Sequence, residues 1–254
     1  MTRAPLDFSI GPHTLRNITV LTLPLLHRPW NNPVALLLSP LAGALAAGCC
    51  ALLKPSELAP ASSVLLGALV PSYLDPAAVA VVQGGADETV HALALRWDHI
   101  FFTGGTRVGR AVAAAAAVRL TPLTLELGGK SAVVVADDLD DAEIAIAARR
   151  VWHGKLMNAG QVCVSPDYVL VTRVKVDKFV EGVVKANMEF FAGNEQDRTD
   201  QVGDIVSAAH CRRICDMLSR SKGRVIIGGE VLSEKRIAPT VVTDVGEDDA
   251  LMEE

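Results

Sequence analysis

Short unbroken apolar runs alternate along this chain with longer stretches whose apolar positions recur at helical spacing. The runs predict strands and the periodic stretches predict helices. From Ser39 onward the pattern predicts a helix to Gly48, a strand ending at Leu53, a helix over 61–69, a strand over 79–82, a helix over 87–95 and a strand over 98–102. A helix over 110–119, built on the run AVAAAAAV, and a strand over 123–127 follow. Strands alternating with helices predict an α/β fold, a parallel sheet with helical crossovers. Gly128-Gly129 breaks the rhythm and marks a boundary between two lobes. Beyond it the pattern predicts a strand over 131–135, an acid-headed helix over 139–152, a loop around Cys163 and a strand over 168–171. Helices over 175–190 and 210–219 and a strand over 224–227 complete it. The first 28 residues, with Pro5, Pro12 and Pro24 scattered through them, fit this rhythm poorly.

One run needs a choice of environment. Residues 34–53 carry no charge over the length of a spanning helix. Pro40 suits the opening of a helix, Gly43 and Gly48 weaken one, and the run reads as a buried helix followed by a buried strand rather than a membrane span. Composition supports a soluble α/β domain pair. Half the 254 residues are hydrophobic but only 4% are aromatic, so the core is Ala, Val and Leu. A net charge of -5 gives no footprint for nucleic acid. Five cysteines in no secreted framework, and no secretory leader at the start of the chain, predict a reducing, cytoplasmic setting.

Several positions could carry chemistry. Cys163, in MNAGQVCVSPDY, reads either as an inert core cysteine or as a thiolate nucleophile on an exposed loop. Glu126 ends an apolar strand at the carboxyl edge of the sheet, where it is either capped by backbone amides or enclosed in an apolar cleft and placed to take a proton. Asn31, in PWNNP, either bonds the turn or donates to a developing oxyanion. The glycines of FFTGGTRVG stand between a strand and a helix start, a place for a phosphate, although the spacing is not that of a dinucleotide fingerprint. Lys54 and Glu57, in LLKPSE, are ligand contacts at a strand end or solvated charges. Cys49 and Cys50 read as core, Cys211 and Cys215 as helix packing, and no metal site is predicted.

Taken together, PWNNP, LLKPSE, FTGGTRVG, LELGGKS and GQVC, in this order, resemble the NAD(P)-dependent aldehyde dehydrogenase family. LTPLTLELGGKS, GQVCVSPDY and IAPTVVTDV resemble its class 3 and fatty-aldehyde branch. The resemblance implies a Rossmann-like cofactor domain over 1–127 and a catalytic α/β domain over 128–254, each incomplete. It implies Cys163 as nucleophile, Glu126 as general base and Asn31, with the Cys163 backbone N–H, as oxyanion donor. For the cofactor it implies Trp30, Lys54 and Glu57, the turn of Gly104, Gly105, Thr106 and Gly109, and Glu254 on the nicotinamide ribose. NAD is expected in preference to NADP, the substrate is a small-molecule aldehyde, and a full-length form is expected to be a homodimer with membrane association open. Gly105 stands where the family usually has serine, and Asn32 where it usually has an aromatic residue.

The family's helical N-terminal region and the remainder of its catalytic domain find no counterpart in these 254 residues. The expectation is little or no dehydrogenase activity, poor solubility and only weak NAD binding by the chain alone, with apolar helix faces uncovered around Val151 and Phe179. A non-catalytic cofactor-binding fragment, a pseudoenzyme and a scaffold protein are the rival readings.

Overall fold

A computed structural model describes residues 24–27, 29–191 and 201–253. The chain divides into two compact units, Met1–Leu127 and Gly128–Glu254.

The described part of the first unit holds a five-stranded sheet of β1 (Pro24–His27), β2 (Ala51–Lys54), β3 (Val79–Val81), β4 (His99–Gly104) and β5 (Leu123–Leu127). Its order is β3-β2-β1-β4-β5, and every pairing is parallel. The order reverses between β1 and β4, so the crevice past their carboxyl ends is the switch point where ligands bind in open α/β sheets. Helices α1 (Ala35–Ala46), α2 (Pro60–Tyr73), α3 (Ala86–Leu93) and α4 (Thr106–Ala117) make the crossovers. Successive residues of β2 feed opposite faces: Leu52 packs with Leu25, Phe102 and the α4 residues Val112 and Ala116, while Ala51 and Leu53 pack with Leu37, Leu41, Leu66 and Val70. Burial on both faces explains why β2 is apolar up to its last residue, Lys54.

Three expectations for this unit need correction. Pro24–His27, hidden in the proline-rich start, is the central strand; at β1's first residue the proline interrupts nothing upstream in the strand. Residues 1–23 lie outside the described ones. Pro40 does not open a helix but sits inside α1, where its missing N–H deprives the Leu36 carbonyl of a helical donor. And α1 is not a buried helix: among its residues Leu37 and Leu41 are buried, with Leu38 and Leu45 exposed. No helix among the described residues is long and apolar enough to cross a membrane.

In the second unit, α5 (Asp141–Leu156) begins with a reciprocal cap. The Asp140 carboxylate accepts from the backbone N–H of Ala142 and Glu143, at 2.9 and 2.8 Å, and the Glu143 carboxylate accepts from the Asp140 N–H at 2.9 Å. Ile144, Ala148 and Trp152 fall on one α5 stripe and pack against Phe179, Val183 and Ala186 of α6 (Val176–Phe190). Phe179 is therefore buried and Val151 half-buried, not uncovered as expected from the sequence. The parallel pair β6 (Ala132–Val135) and β7 (Tyr168–Val171) lies against the same core. Helix α7 (Ala208–Arg220) follows, capped by the Ser207 hydroxyl, which accepts from the His210 N–H. It leads to β8 (Arg224–Ile227), β9 (Val231–Ser233), β10 (Arg236–Ile237) and β11 (Val241–Thr243). β9 with β10 and β8 with β11 form antiparallel pairs. The last three strands, only two or three residues long, are absent from the sequence reading.

The two helices approach closely at Gly182, where a Cβ would stand 2.8 Å from the Ala148 Cβ and 3.4 Å from the Ala145 Cα. Neither neighbour can turn aside. Gly182→Val is expected to destabilise this unit by about 2 kcal/mol through overpacking, read as a lowered urea midpoint. An unchanged midpoint would mean the helices are free to move apart.

Candidate active site

The carboxyl edge of the first sheet gathers most of the predicted residues of that unit. β1 ends at His27, in register with Lys54 of β2 and Phe102 of β4. The chain then turns through Trp30 and Asn31, both half-buried, and the Asn32 carbonyl accepts from the Leu36 N–H at 3.1 Å to start α1. Asn31 thus sits at the switch point.

Lys54 closes β2 with its side chain fully buried, so its reading as a solvated surface charge is overturned. Its ammonium donates to the Pro55 carbonyl at 2.9 Å and pairs with the half-exposed Glu57 carboxylate at 3.6 Å. A buried ammonium must be paired or hydrogen-bonded, and these two oxygens do this on one side of it.

The glycine turn takes its shape from the Phe102 ring, which stacks on His27 with centroids 5.1 Å apart. A Cβ on Gly104 would stand 2.6 Å from that ring, and one on Gly109 would stand 2.9 Å from Leu127 and 3.7 Å from the ring. Gly105 differs: it is the N-cap of α4, and nothing lies within 4 Å of where its Cβ would be. The first turn of α4, from Thr106, contains no acidic residue, which leaves the positive end of the helix dipole for an anion.

Glu126 lies on β5 beside Thr103. It is exposed, not enclosed in an apolar cleft, because β5 is an edge of the described sheet, paired with β4 alone.

In the second unit Cys163 is exposed, and the other described thiols are not: Cys49 and Cys211 are buried, Cys50 and Cys215 intermediate. The reading of Cys163 as a buried core residue is therefore excluded. Its turn is closed by the Ser165 N–H donating to the Val162 carbonyl at 3.0 Å, and its own carbonyl accepts from the Ser131 hydroxyl at 3.3 Å. Upstream, Asn158, Ala159 and Gly160 have φ of 51°, 54° and 74°. Two non-glycine residues in the left-handed region store strain, a feature that concentrates at functional loops.

Below the loop, Lys130 pairs with Asp167, whose other oxygen lies 3.9 Å from Lys155. Burial pushes the Lys155 ammonium below its ordinary range. Lys130 also donates to the Leu251 carbonyl at 2.6 Å, and Arg220 grips Glu253 with two bonds of 2.8 and 2.9 Å, so the segment leading to Glu254 is tied down. Glu254 itself lies outside the described residues. No cluster of metal-ligating side chains occurs among the described residues.

The aldehyde dehydrogenase family model matches residues 26–254. The chain belongs to the aldehyde dehydrogenase family. It is 44% identical over 229 residues to aldehyde dehydrogenase family 3 member H1 of Arabidopsis thaliana, covering 89% of this chain and 46% of that protein. Against family 3 member B1 of Rattus norvegicus it is 45% identical over 227 residues, 89% of this chain and 47% of the relative. Among solved structures, substrate-bound AldH of Staphylococcus aureus matches with TM-score 0.85 and 36% identity over 92% of this chain and 50% of that one. The Mycobacterium tuberculosis aldehyde dehydrogenase complexed with NAD+ matches with TM-score 0.78 and 32% identity, again over 92% and 50%. The α/β fold is that of the family, and the chain spans about half the length of the relatives it matches.

Ser131 and Gln161, which the sequence does not single out, also hold the Cys163 loop. Both lie inside the motifs LELGGKS and GQVC, beside a carboxylate and a thiol of more conspicuous chemistry.

Proposed function

We propose that this protein oxidises a small-molecule aldehyde to the carboxylic acid with NAD, or less effectively NADP, through a covalent adduct on Cys163. The observation that carries this reading is an exposed thiol on a backbone-fixed turn in a member of this family. The first unit suits a dinucleotide in its own right. It offers a buried ammonium at Lys54, a carboxylate at Glu57 and an acid-free helix start with open space at Gly105. Lys54 and Glu57 would hold the adenosine ribose, Gly104, Gly105, Thr106 and Gly109 the phosphates, Trp30 the cofactor's flank and Glu254 the nicotinamide ribose. Bound there, the cofactor supplies the hydride acceptor.

The chain's own residues do the rest. The Cys163 sulfur adds to the aldehyde carbon, and the carbonyl oxygen becomes an oxyanion held by the Asn31 amide and the Cys163 N–H. Reformation of the C=O bond expels hydride and leaves a thioester on Cys163. Glu126 takes a proton from water, whose oxygen attacks the thioester; the acid departs and the thiolate returns. Exposure of Glu126 gives it ready access to that water.

The test is direct: mix the protein with NAD and a medium-chain aldehyde, quench, and map acyl adducts by mass spectrometry. An acyl group on Cys163 is expected. Cofactor binding with no adduct on Cys163 would favour the non-catalytic reading. For the cofactor preference, Glu57→Gln should narrow the ratio of NAD to NADP affinity by about fivefold, the equivalent of one hydrogen bond of about 1 kcal/mol. An unchanged ratio would remove Glu57 from the adenosine site.

A further inference from the structure

The loop that carries Cys163 is tied to two other segments through the Gln161 amide. Gln161 Nε2 donates to the Asn158 carbonyl at 2.9 Å and to the Asp204 carbonyl at 3.1 Å, and its Oε1 accepts from the Val206 N–H at 2.8 Å. Asn158 returns the contact, its side-chain amide donating to the Gln161 carbonyl at 3.2 Å. Gln161 thereby staples both the left-handed turn of Asn158 and Ala159 and the 204–206 segment to the residue two places before the thiol.

The 204–206 segment is fixed in its turn. Arg236, on β10, donates from Nε and Nη2 to one Asp204 oxygen, at 2.9 and 2.6 Å. The Ile205 N–H donates to the Lys235 carbonyl at 2.7 Å, and the side chain of Ile205 is buried. A chain of contacts therefore runs from the β9–β10 hairpin through Asp204 and Gln161 to the Cys163 turn. Two non-glycine residues in the left-handed region cost on the order of 1–3 kcal/mol each and persist only where their surroundings over-determine them. Gln161, bonded to the Asn158 carbonyl and to the 204–206 segment, contributes to this here.

We propose that Gln161 is a positioning residue for Cys163, and that Arg236 acts behind it through Asp204 without touching the loop. This rests on the reading of Cys163 as the nucleophile. Hydride and acyl transfer require the sulfur in a near-attack geometry. A turn under strain would drift from that geometry if its staple were removed.

The experiment is hydrogen exchange with peptide mapping on the whole chain, together with steady-state oxidation. In Gln161→Ala, amides of 158–165 and of Val206 should exchange about tenfold faster, as expected for the loss of a hydrogen bond or two, while α7 is unchanged. Gln161→Glu keeps size and the acceptor for Val206 but loses both donors, so Val206 should stay protected and the 158–160 turn should not. Arg236→Ala should loosen 161–165 to a similar extent, Arg236→Lys should restore most of the protection, and the double variant with Gln161→Ala should be no looser than either alone. Oxidation should lose kcat with KM for NAD retained. Loosening confined to the 231–237 hairpin in Arg236→Ala, or spread evenly over α7, would overturn the proposal. Retained oxidation in Cys163→Ala would instead overturn the nucleophile reading and leave the exchange results standing.

Discussion

In a full-length form, Cys163→Ala is expected to lower aldehyde oxidation by at least about a thousandfold, because the sulfur proposed to form the covalent adduct has no substitute. The other thiols are poorly suited to replace it. Cys49 and Cys211 are buried, and burial pushes both thiols up, away from the thiolate form. Cofactor affinity should be little changed, since the ammonium, carboxylate and helix start proposed to hold the adenosine ribose and phosphates belong to the other unit. Appearance of reduced cofactor and a separate NAD titration measure the two quantities. Cys49→Ala is the control: it should cost about 1 kcal/mol of stability and leave the rate alone. Comparable rates in wild type and Cys163→Ala would remove the covalent mechanism.

Glu126→Gln is expected to separate the two half-reactions. An amide of the same shape cannot take a proton from water, so thioester hydrolysis should slow by roughly a hundredfold or more. Addition of the thiol and loss of hydride precede that step and should be much less affected. Rapid mixing should then show a burst of reduced cofactor near one equivalent per active site, followed by slow turnover, and acyl-Cys163 should accumulate in quenched samples. Equal loss of the burst and of the steady rate would place Glu126 earlier in the sequence, as the base for the thiol.

Much of this was legible before any coordinates. The alternation of short apolar runs with periodic stretches is the direct imprint of strands buried on two faces and helices buried on one, which is why β2, β4, β5 and α4 to α6 stood out. β1 did not, because Pro24 and His27 bracket only two apolar residues and proline ordinarily argues against a central strand. β9 to β11 were hidden for another reason: they are only two or three residues long, and β9 leaves Val231 and Leu232 exposed, so no run is long enough for a buried face to impose a pattern. At the site, residue types marked Cys163 and Asn31 as candidates but said nothing of environment. Burial of Lys54 depends on strands far away in sequence, and exposure of Glu126 depends on β5 lying at an edge. Gln161 was unreadable because its partners at 204–206 are distant in the chain and are backbone groups, which any sequence supplies.

The position of β1 also bears on how the first unit is built. β1 is the earliest of the five strands in the chain, yet it occupies the middle. β2 joins one flank and β3 extends it; β4 then takes the opposite flank and β5 extends that. In order of synthesis, each arriving strand meets an unoccupied edge, so assembly never requires an established pair to part and admit a newcomer. The sheet can grow outward from its oldest strand as the polypeptide lengthens, with the switch-point crevice opening beside β1 only when residues 99–104 have arrived.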